Sequence, residues 1–264
     1  MARFALGIEY DGSRFCGWQT QKSGCSVQDA VERALSAVAA ERVATICAGR
    51  TDAGVHATAQ VVHFDCDVAR PDTAWVRGVN AHLPDAVAVQ WVRVVPETFH
   101  ARYGALERRY HYLLLDQPVR PALNRDHVGW IHQRLDIAPM QEAALALTGE
   151  HDFSAFRSSE CQAKSPVRHL RQIRIERRGD YVVFELAANA FLHHMVRNIV
   201  GTLVYIGSGR KVAGWAHEVL ESRDRSLAAP TISGAGLYLT GVDYEAGFLG
   251  QVPSRSVWFN VPGL

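Results

Sequence analysis

The sequence predicts an α+β fold, on three observations. Stretches that alternate apolar and polar residues, as a half-buried strand does, are interspersed with stretches whose apolar residues recur at helical spacing. Several of the strand stretches are joined by tight turns, which favours mixed, mostly antiparallel sheets over a doubly wound parallel one. The rhythm also runs twice, once over residues 1–105 and once over 106–264, which predicts two similar α/β halves, each with a sheet flanked by helices, and a seam near residues 97–108. The chain carries no close internal repeat and no low-complexity segment.

Residues 3–10 alternate in the β manner and stop at Asp11-Gly12, a turn signal. Ser26 has the character of a helix N-cap, with Asp29 three residues on to close a capping box, and Val27, Ala30, Val31, Ala34, Leu35 and Val38 follow at helical spacing. A short strand over Val43–Cys47 and a second over Gln60–Asp65 flank a glycine-containing loop. Trp75–Ala81 reads as a helix, Val87–Val95 as a strand and Arg109–Leu115 as another. After a long irregular connection beginning at Pro118 and Pro121, Pro139–Leu147 reads as a helix. Residues 166–178 and Tyr181–Ala187 form a predicted hairpin around Gly179-Asp180. Phe191–Ile206 is a strongly apolar helix ended by Gly207-Ser208-Gly209, Val212–Leu220 a second helix, and Gly236–Tyr244 a closing strand.

With 264 residues, 48% of them hydrophobic, the chain can bury one large core or two ordinary ones. A charged fraction of 21% excludes disordered and fibrous classes. The 28 basic and 27 acidic side chains leave a formal net charge of +1, so any contact with nucleic acid has to come from local clusters. One such cluster is Lys164, Arg168, Arg171, Arg174, Arg177 and Arg178, relieved only by Glu176; Arg102, Arg108 and Arg109 form a smaller one. The five cysteines are scattered and form no CxxC, so no disulfide framework is expected and a reducing, cytoplasmic setting fits best. The opening MARFALGIEYDG is too short in apolar length for a signal peptide, and no window approaches a membrane span.

The stretch richest in chemistry is GRTDAGVHA, Gly49–Ala57. Two glycines bracket a Thr-Asp pair between two strands, which can hold the Asp52 carboxylate in a fixed direction with Arg50 two residues away. On local pattern alone the same residues also read as a tight hairpin in which the aspartate caps its own turn. The whole run resembles the signature of the tRNA pseudouridine synthase A (TruA) family, and the resemblance extends along nearly the whole chain. YDGSRFCGWQTQ (Tyr10–Gln21) with Ser26-Val27-Gln28, ERRYHYLL (Glu107–Leu114), HDFSAFR (His151–Arg157), FLHHMVRNIVGTL (Phe191–Leu203) and GLYL (Gly236–Leu239) match the family's blocks in the family's order. One departure is Ala163 in Cys161-Gln162-Ala163, where the family often has serine.

The resemblance implies the pseudouridine synthase fold, with an active-site cleft between its two halves. It also implies a cytoplasmic enzyme that isomerises uridine to pseudouridine at positions 38, 39 and 40 in the anticodon stem-loop of tRNAs. Asp52 inherits the role of nucleophile and Arg197 that of its carboxylate partner. Tyr110, which alternation places on one sheet face with Tyr112 and opposite His111, inherits base stacking and a part in proton transfer. Arg50 inherits the space vacated by the extruded base, and Leu237 the place beneath the uracil ring. A homodimer sharing one tRNA is implied as well.

No cofactor is expected, because the isomerisation is redox-neutral and no phosphate-binding glycine loop is present. No metal is expected at His193 and His194, which as neighbours on a helix point to different faces and lack an HExxH partner. Two other classes compete. A non-catalytic RNA-binding relict would have lost Asp52 or Tyr110, and a glycoside hydrolase needs two flanking carboxylates where this loop has one.

Overall fold

The computed structural model describes residues 1–68 and 70–250; the last fourteen positions assigned above to the second half lie outside the described residues. The α+β reading holds: ten strands in mostly antiparallel pairing and five α-helices, among the described residues. The described residues divide into two compact units, one of Met1–Glu107 with residues 238–250, the other of Arg108–Leu237.

In the first unit, β1 (Ala2–Tyr10) pairs antiparallel with both β3 (His56–Cys66) and β4 (Val87–Val95). The two-residue β2 (Ile46–Cys47) adds to β3, as does β10 (Leu237–Tyr244), whose pairing is parallel at Tyr238 and Leu239. Helix α1 (Val27–Ala39) starts where expected. The Ser26 hydroxyl accepts from the Asp29 N–H, and the Asp29 carboxylate accepts from the Ser26 N–H, which satisfies two donors that a bare helix end leaves open. Val27, Val31, Ala34 and Leu35 form its buried face. The rings of Phe4, Phe64 and Trp75 meet at centroid distances of 5.2–5.4 Å.

Three expectations for this unit are corrected. The strand over Val43–Cys47 shrinks to Ile46–Cys47, because the Glu32 carboxylate of α1 takes the Thr45 N–H and hydroxyl at 2.7 and 2.9 Å, leaving residue 45 tied to the helix. The helix over Trp75–Ala81 is a wide π turn, Ala74–Gly78, followed by one α turn, α2 (Val79–His82). Cys16 and Cys25 are disulfide-bonded across a loop that folds back on itself, the Cys16 N–H donating to the Cys25 carbonyl at 3.1 Å. Sequence spacing did not show that approach.

His63 on β3 links this core to pH. It is 3% exposed, and its Nδ1 accepts the Ala101 N–H at 3.1 Å, which requires a neutral ring. Burial, reinforced by the Arg3 and His100 charges, pushes its pKa from 6.5 down to about 4. The unfolded chain therefore takes up this proton near pH 6.5, whereas the folded chain holds off until about 4. The contribution is intact above 6.5 and declines as pH falls toward 4, by at most about 3 kcal/mol. A His63→Gln variant, neutral throughout, is expected to lose less stability than the parent between pH 7 and pH 4 in denaturant unfolding; parallel pH profiles would remove His63 as the cause.

In the second unit, β5 (Ala105–Asp116, all but its first three residues in this unit) pairs with β9 (Tyr181–Ala188), which pairs with β8 (Val167–Arg178), which pairs with β7 (Gly149–Asp152), all antiparallel. β6 (Gly129–Ile131), a strand inside the stretch expected to be irregular, runs parallel to the end of β5. Helices α3 (Ile137–Leu145), α4 (Met195–Gly207) and α5 (Trp215–Ser222) complete the unit. The hairpin turn falls at Gly179-Asp180 as predicted. α4 begins four residues later than its apolar pattern suggested, because His194 adopts φ +64°, outside the right-handed helical region. His193 and His194 consequently lie ahead of the helix, their rings 4.0 Å apart, and do not diverge around it.

Candidate functional site

The Gly49–Ala57 loop is held in the first unit by contacts on both sides of Asp52. Gln60, fully buried on β3, brackets Gly49: its Nε2 donates to the Gly49 carbonyl at 2.7 Å and its Oε1 accepts the Gly49 N–H at 3.4 Å. Thr51 is fixed twice, by a 2.8 Å hydrogen bond between its hydroxyl and that of Tyr10 and by its carbonyl, which accepts the Trp18 N–H at 2.9 Å. Beyond Asp52 the chain turns, the Val55 N–H donating to the Asp52 carbonyl at 3.2 Å, with Gly54 at φ +73°, a conformation that an L-residue adopts only at a cost. Gly49 has no such positive φ; its role is to be clamped by Gln60. Asp52 itself is half-buried and Arg50 is exposed. The loop thus presents one carboxylate from a backbone that cannot drift, which is what a nucleophile or base aimed at a single atom requires.

Sequence reasoning missed the residues that do the holding. Gln60, Tyr10 and Trp18 lie 8 to 42 positions from Asp52 along the chain. The one local sign was a polar side chain, Gln60, in the inward phase of a strand, where an amide must find partners.

The second unit carries the other predicted residues. Tyr110 is 7% exposed on β5, and its ring meets that of Phe191 edge-on at 5.1 Å. Tyr112 shares its face of the strand, and His111, half-buried, takes the other. Arg197 lies in the first turn of α4, half-buried, with Nε donating to the Ile232 carbonyl at 2.8 Å. The next residue, Ser233, accepts the Tyr112 hydroxyl at 2.9 Å. Burial raises the Tyr112 phenol above its usual range, partly offset by the nearby Arg197 charge, so it donates to Ser233 and stays protonated.

Residues 232–236 pack so tightly on β5 that a side chain at Gly236 would run into the Leu113 carbonyl, the Gly129 N–H and the Tyr112 ring. Leu237, next in line, is 5% exposed. The second unit therefore brings Tyr110, Tyr112, Arg197 and the 232–237 segment into one packed region, with Arg50 and Asp52 together on the loop of the first.

The basic clusters are smaller than the sequence suggested. Arg177 is turned inward, with both terminal nitrogens on the Asp116 carboxylate at 2.7–2.8 Å. Arg174 and Arg178 both pair with Glu176, and Arg168 donates to the Ser165 and Val167 carbonyls. Arg108 is 8% exposed and donates to the Asn189 carbonyl. Most of the guanidinium groups assigned to phosphate contact are thus committed to the fold, Arg177 by a carboxylate far away in sequence, Arg174 and Arg178 by the adjacent Glu176, and Arg168 and Arg108 by backbone carbonyls.

The sequence profile of a family described as tRNA pseudouridine synthase matches residues 7–104 and 143–245. A tRNA pseudouridine synthase A from Burkholderia thailandensis is 58% identical over 267 residues, covering 99% of both chains. One from Thiobacillus denitrificans is 59% identical over 248 residues, covering 94% of this chain and 95% of its own. A solved Cbf5-Nop10-Gar1 complex is similar at a TM-score of 0.38 and 12% identity, over 89% of this chain and 48% of that one.

Proposed function

Since the chain belongs to the tRNA pseudouridine synthase family, we propose that it isomerises uridine to pseudouridine at positions 38, 39 and 40 of the anticodon stem-loop, with Asp52 as the catalytic carboxylate. That it is an isomerase acting on tRNA follows from the family; the positions and the residue roles are the proposal. The observation that carries it is the double clamp on the loop, Gln60 on Gly49 and Tyr10 with Trp18 on Thr51, which fixes the Asp52 backbone.

The reaction breaks the bond from N1 of uracil to C1′ of the ribose and makes one from C5 to C1′. C5 gives up a proton and N1 gains one, so atoms and charge balance without oxidant or energy source. A carboxylate can enter by attacking C1′, by taking a proton from C2′, or by adding to the base, and each route needs it ionised. Arg197, fixed through Nε on Ile232, is assigned the positive charge that favours the ionised acid. Tyr110, braced by Phe191, is assigned the face on which the base stacks and a part in removing the C5 proton. Arg50, on the exposed part of the loop, is assigned the gap left by the flipped nucleotide, and Leu237 the apolar floor. No described helix is long and apolar enough to cross a membrane, and we place the enzyme in the cytoplasm as a homodimer.

The test is tritium release from tRNA carrying C5-labelled uridine, followed by sequencing of the product for pseudouridine. Release with pseudouridine at 38, 39 and 40 is expected. Pseudouridine confined to other positions would refute the anticodon assignment, and free uracil would indicate a hydrolase. Tight binding without release would indicate an RNA-binding protein that has lost its chemistry.

A further inference from the structure

The second unit contains a cleft of about 680 Å³ that none of the roles above uses. Arg157, Arg223 and Arg225 line it, with hydroxyls from Ser154, Ser158 and Thr231 between them. Each arginine arrives at the end of a short element. Arg157 closes the 3-10 turn Ser154–Phe156, Arg223 is the left-handed C-cap of α5, and Arg225 opens the next 3-10 turn.

The charge in this cleft is only partly compensated. Arg225 is half-buried and donates only to neutral oxygens: Asn198 Oδ1 and Thr231 Oγ1, each at 3.1 Å, and the Ala228 carbonyl at 3.4 Å. Burial lowers its pKa, and no carboxylate offsets the shift. Asp224, the acid in the lining, is turned back on its own turn, where it accepts the Ser226 N–H and hydroxyl at 2.8 Å each and pairs with no described arginine. Asp152 lies nearby, but it caps Ser154 and reaches Arg223 only at 3.7 Å. Arg157 makes no ion pair or side-chain hydrogen bond with a described residue. A half-buried guanidinium held by neutral acceptors, two more in the lining and hydroxyls beside them make a polar site in which three cations outnumber the Asp152 and Asp224 carboxylates, leaving room for one anion.

We propose that this cleft seats one backbone phosphodiester of the tRNA, bound by Arg157, Arg223 and Arg225. The identity of the anion rests on the function proposed above, since a polyanionic substrate brings phosphates to the surface it covers. The cleft floor also ties the site to that function. Asn198, which accepts from Arg225 and donates to the Phe156 carbonyl at 2.7 Å, is the residue after Arg197 on α4. A phosphate held here would anchor the RNA to the helix that carries Arg197.

The test uses the full chain, with Arg157→Gln, Arg223→Gln and their double variant. Arg225 is left in place because its hydrogen bonds hold the 228–231 segment. The affinity for unmodified tRNA is measured by filter binding across a range of salt concentrations. Neutralising one phosphate contributes a slope of about 0.9 in log affinity against log salt, hence about eightfold at roughly 0.1 M salt. The double variant is expected to weaken binding by about that factor, to flatten the slope by about one and to keep the parent melting temperature. An unchanged slope overturns the proposal. So does a melting temperature raised by inorganic phosphate in the parent and not in the double variant, if the tRNA slope stays the same, because the cleft would then take the free anion. Binding needs no turnover, so the two readings fail separately. Pseudouridine formed with an unaltered slope removes the cleft alone, whereas a flattened slope without pseudouridine removes the catalytic reading alone.

Discussion

Asp52→Asn is expected to reduce pseudouridine formation by roughly a thousandfold or more while leaving the affinity for tRNA within a few-fold of the parent. The amide has nearly the shape of the acid but can neither attack a sugar carbon, nor take a proton, nor add to a pyrimidine at a useful rate. The fold should tolerate the change. The side chain is half-buried, and the contacts that shape the loop run through the backbone of Asp52 and through Gly49 and Thr51.

Asp52→Glu separates charge from position. It keeps an ionised carboxylate but carries it one methylene outward from a backbone that cannot retreat to compensate. A displacement of about 1 Å costs roughly a hundredfold in well-oriented reactions, so the glutamate variant should also be severely impaired. Both variants are read by tritium release under single-turnover conditions, with melting temperature as the control for folding. A clean preparation of Asp52→Asn that kept more than about one per cent of the parent rate would show that the carboxylate is not the reacting group.

What could be read ahead of the structure follows from how local the determining forces are. The Ser26–Asp29 capping box, the Gly179-Asp180 hairpin and the face of β5 that holds Tyr110 depend on residues within a few positions of one another. Sequence pattern reports such features faithfully. The Asp52 loop was found through its glycine-bounded motif and through resemblance, but the side chains that immobilise it were not, because Gln60 and Tyr10 meet it only once β1 and β3 have paired. The late start of α4 was hidden because Phe191 and Leu192 carry the apolar pattern ahead of Met195, and one left-handed residue, His194, breaks the helix without leaving a mark in that pattern. Charge was misread for the same reason: a run of arginines on paper says nothing about a carboxylate 61 residues away.

That carboxylate is Asp116, and its removal should be the most destabilising single change in the second unit. Asp116 closes β5, with its side chain 0% exposed. It receives both terminal nitrogens of Arg177 at 2.8 and 2.7 Å and the Leu135 N–H at 2.8 Å, while Arg177 also donates to the Leu135 carbonyl at 2.7 Å. One acid thus fastens the end of β5 to β8 and to the segment entering α3, and the carboxylate holds the Arg177 pKa above its usual value. Asp116→Ala leaves the half-buried Arg177 guanidinium without its bonded counter-charge, with only the weaker influence of Asp180, and the Leu135 amide without its acceptor. Breaking a buried pair in this way costs about 3–5 kcal/mol, a melting-temperature drop of roughly 10 °C for a chain of this size.

The pair formed by Arg178 and Glu176 is the control. Both partners are partly exposed, and Glu176→Ala should cost about 1 kcal/mol or less. The paired change Asp116→Leu with Arg177→Met removes both buried charges, so it should recover most of the loss suffered by Asp116→Ala, giving a large coupling energy in a double-mutant cycle. If Asp116→Ala cost no more than the surface control, the ion pair would not be what holds the end of β5 in place.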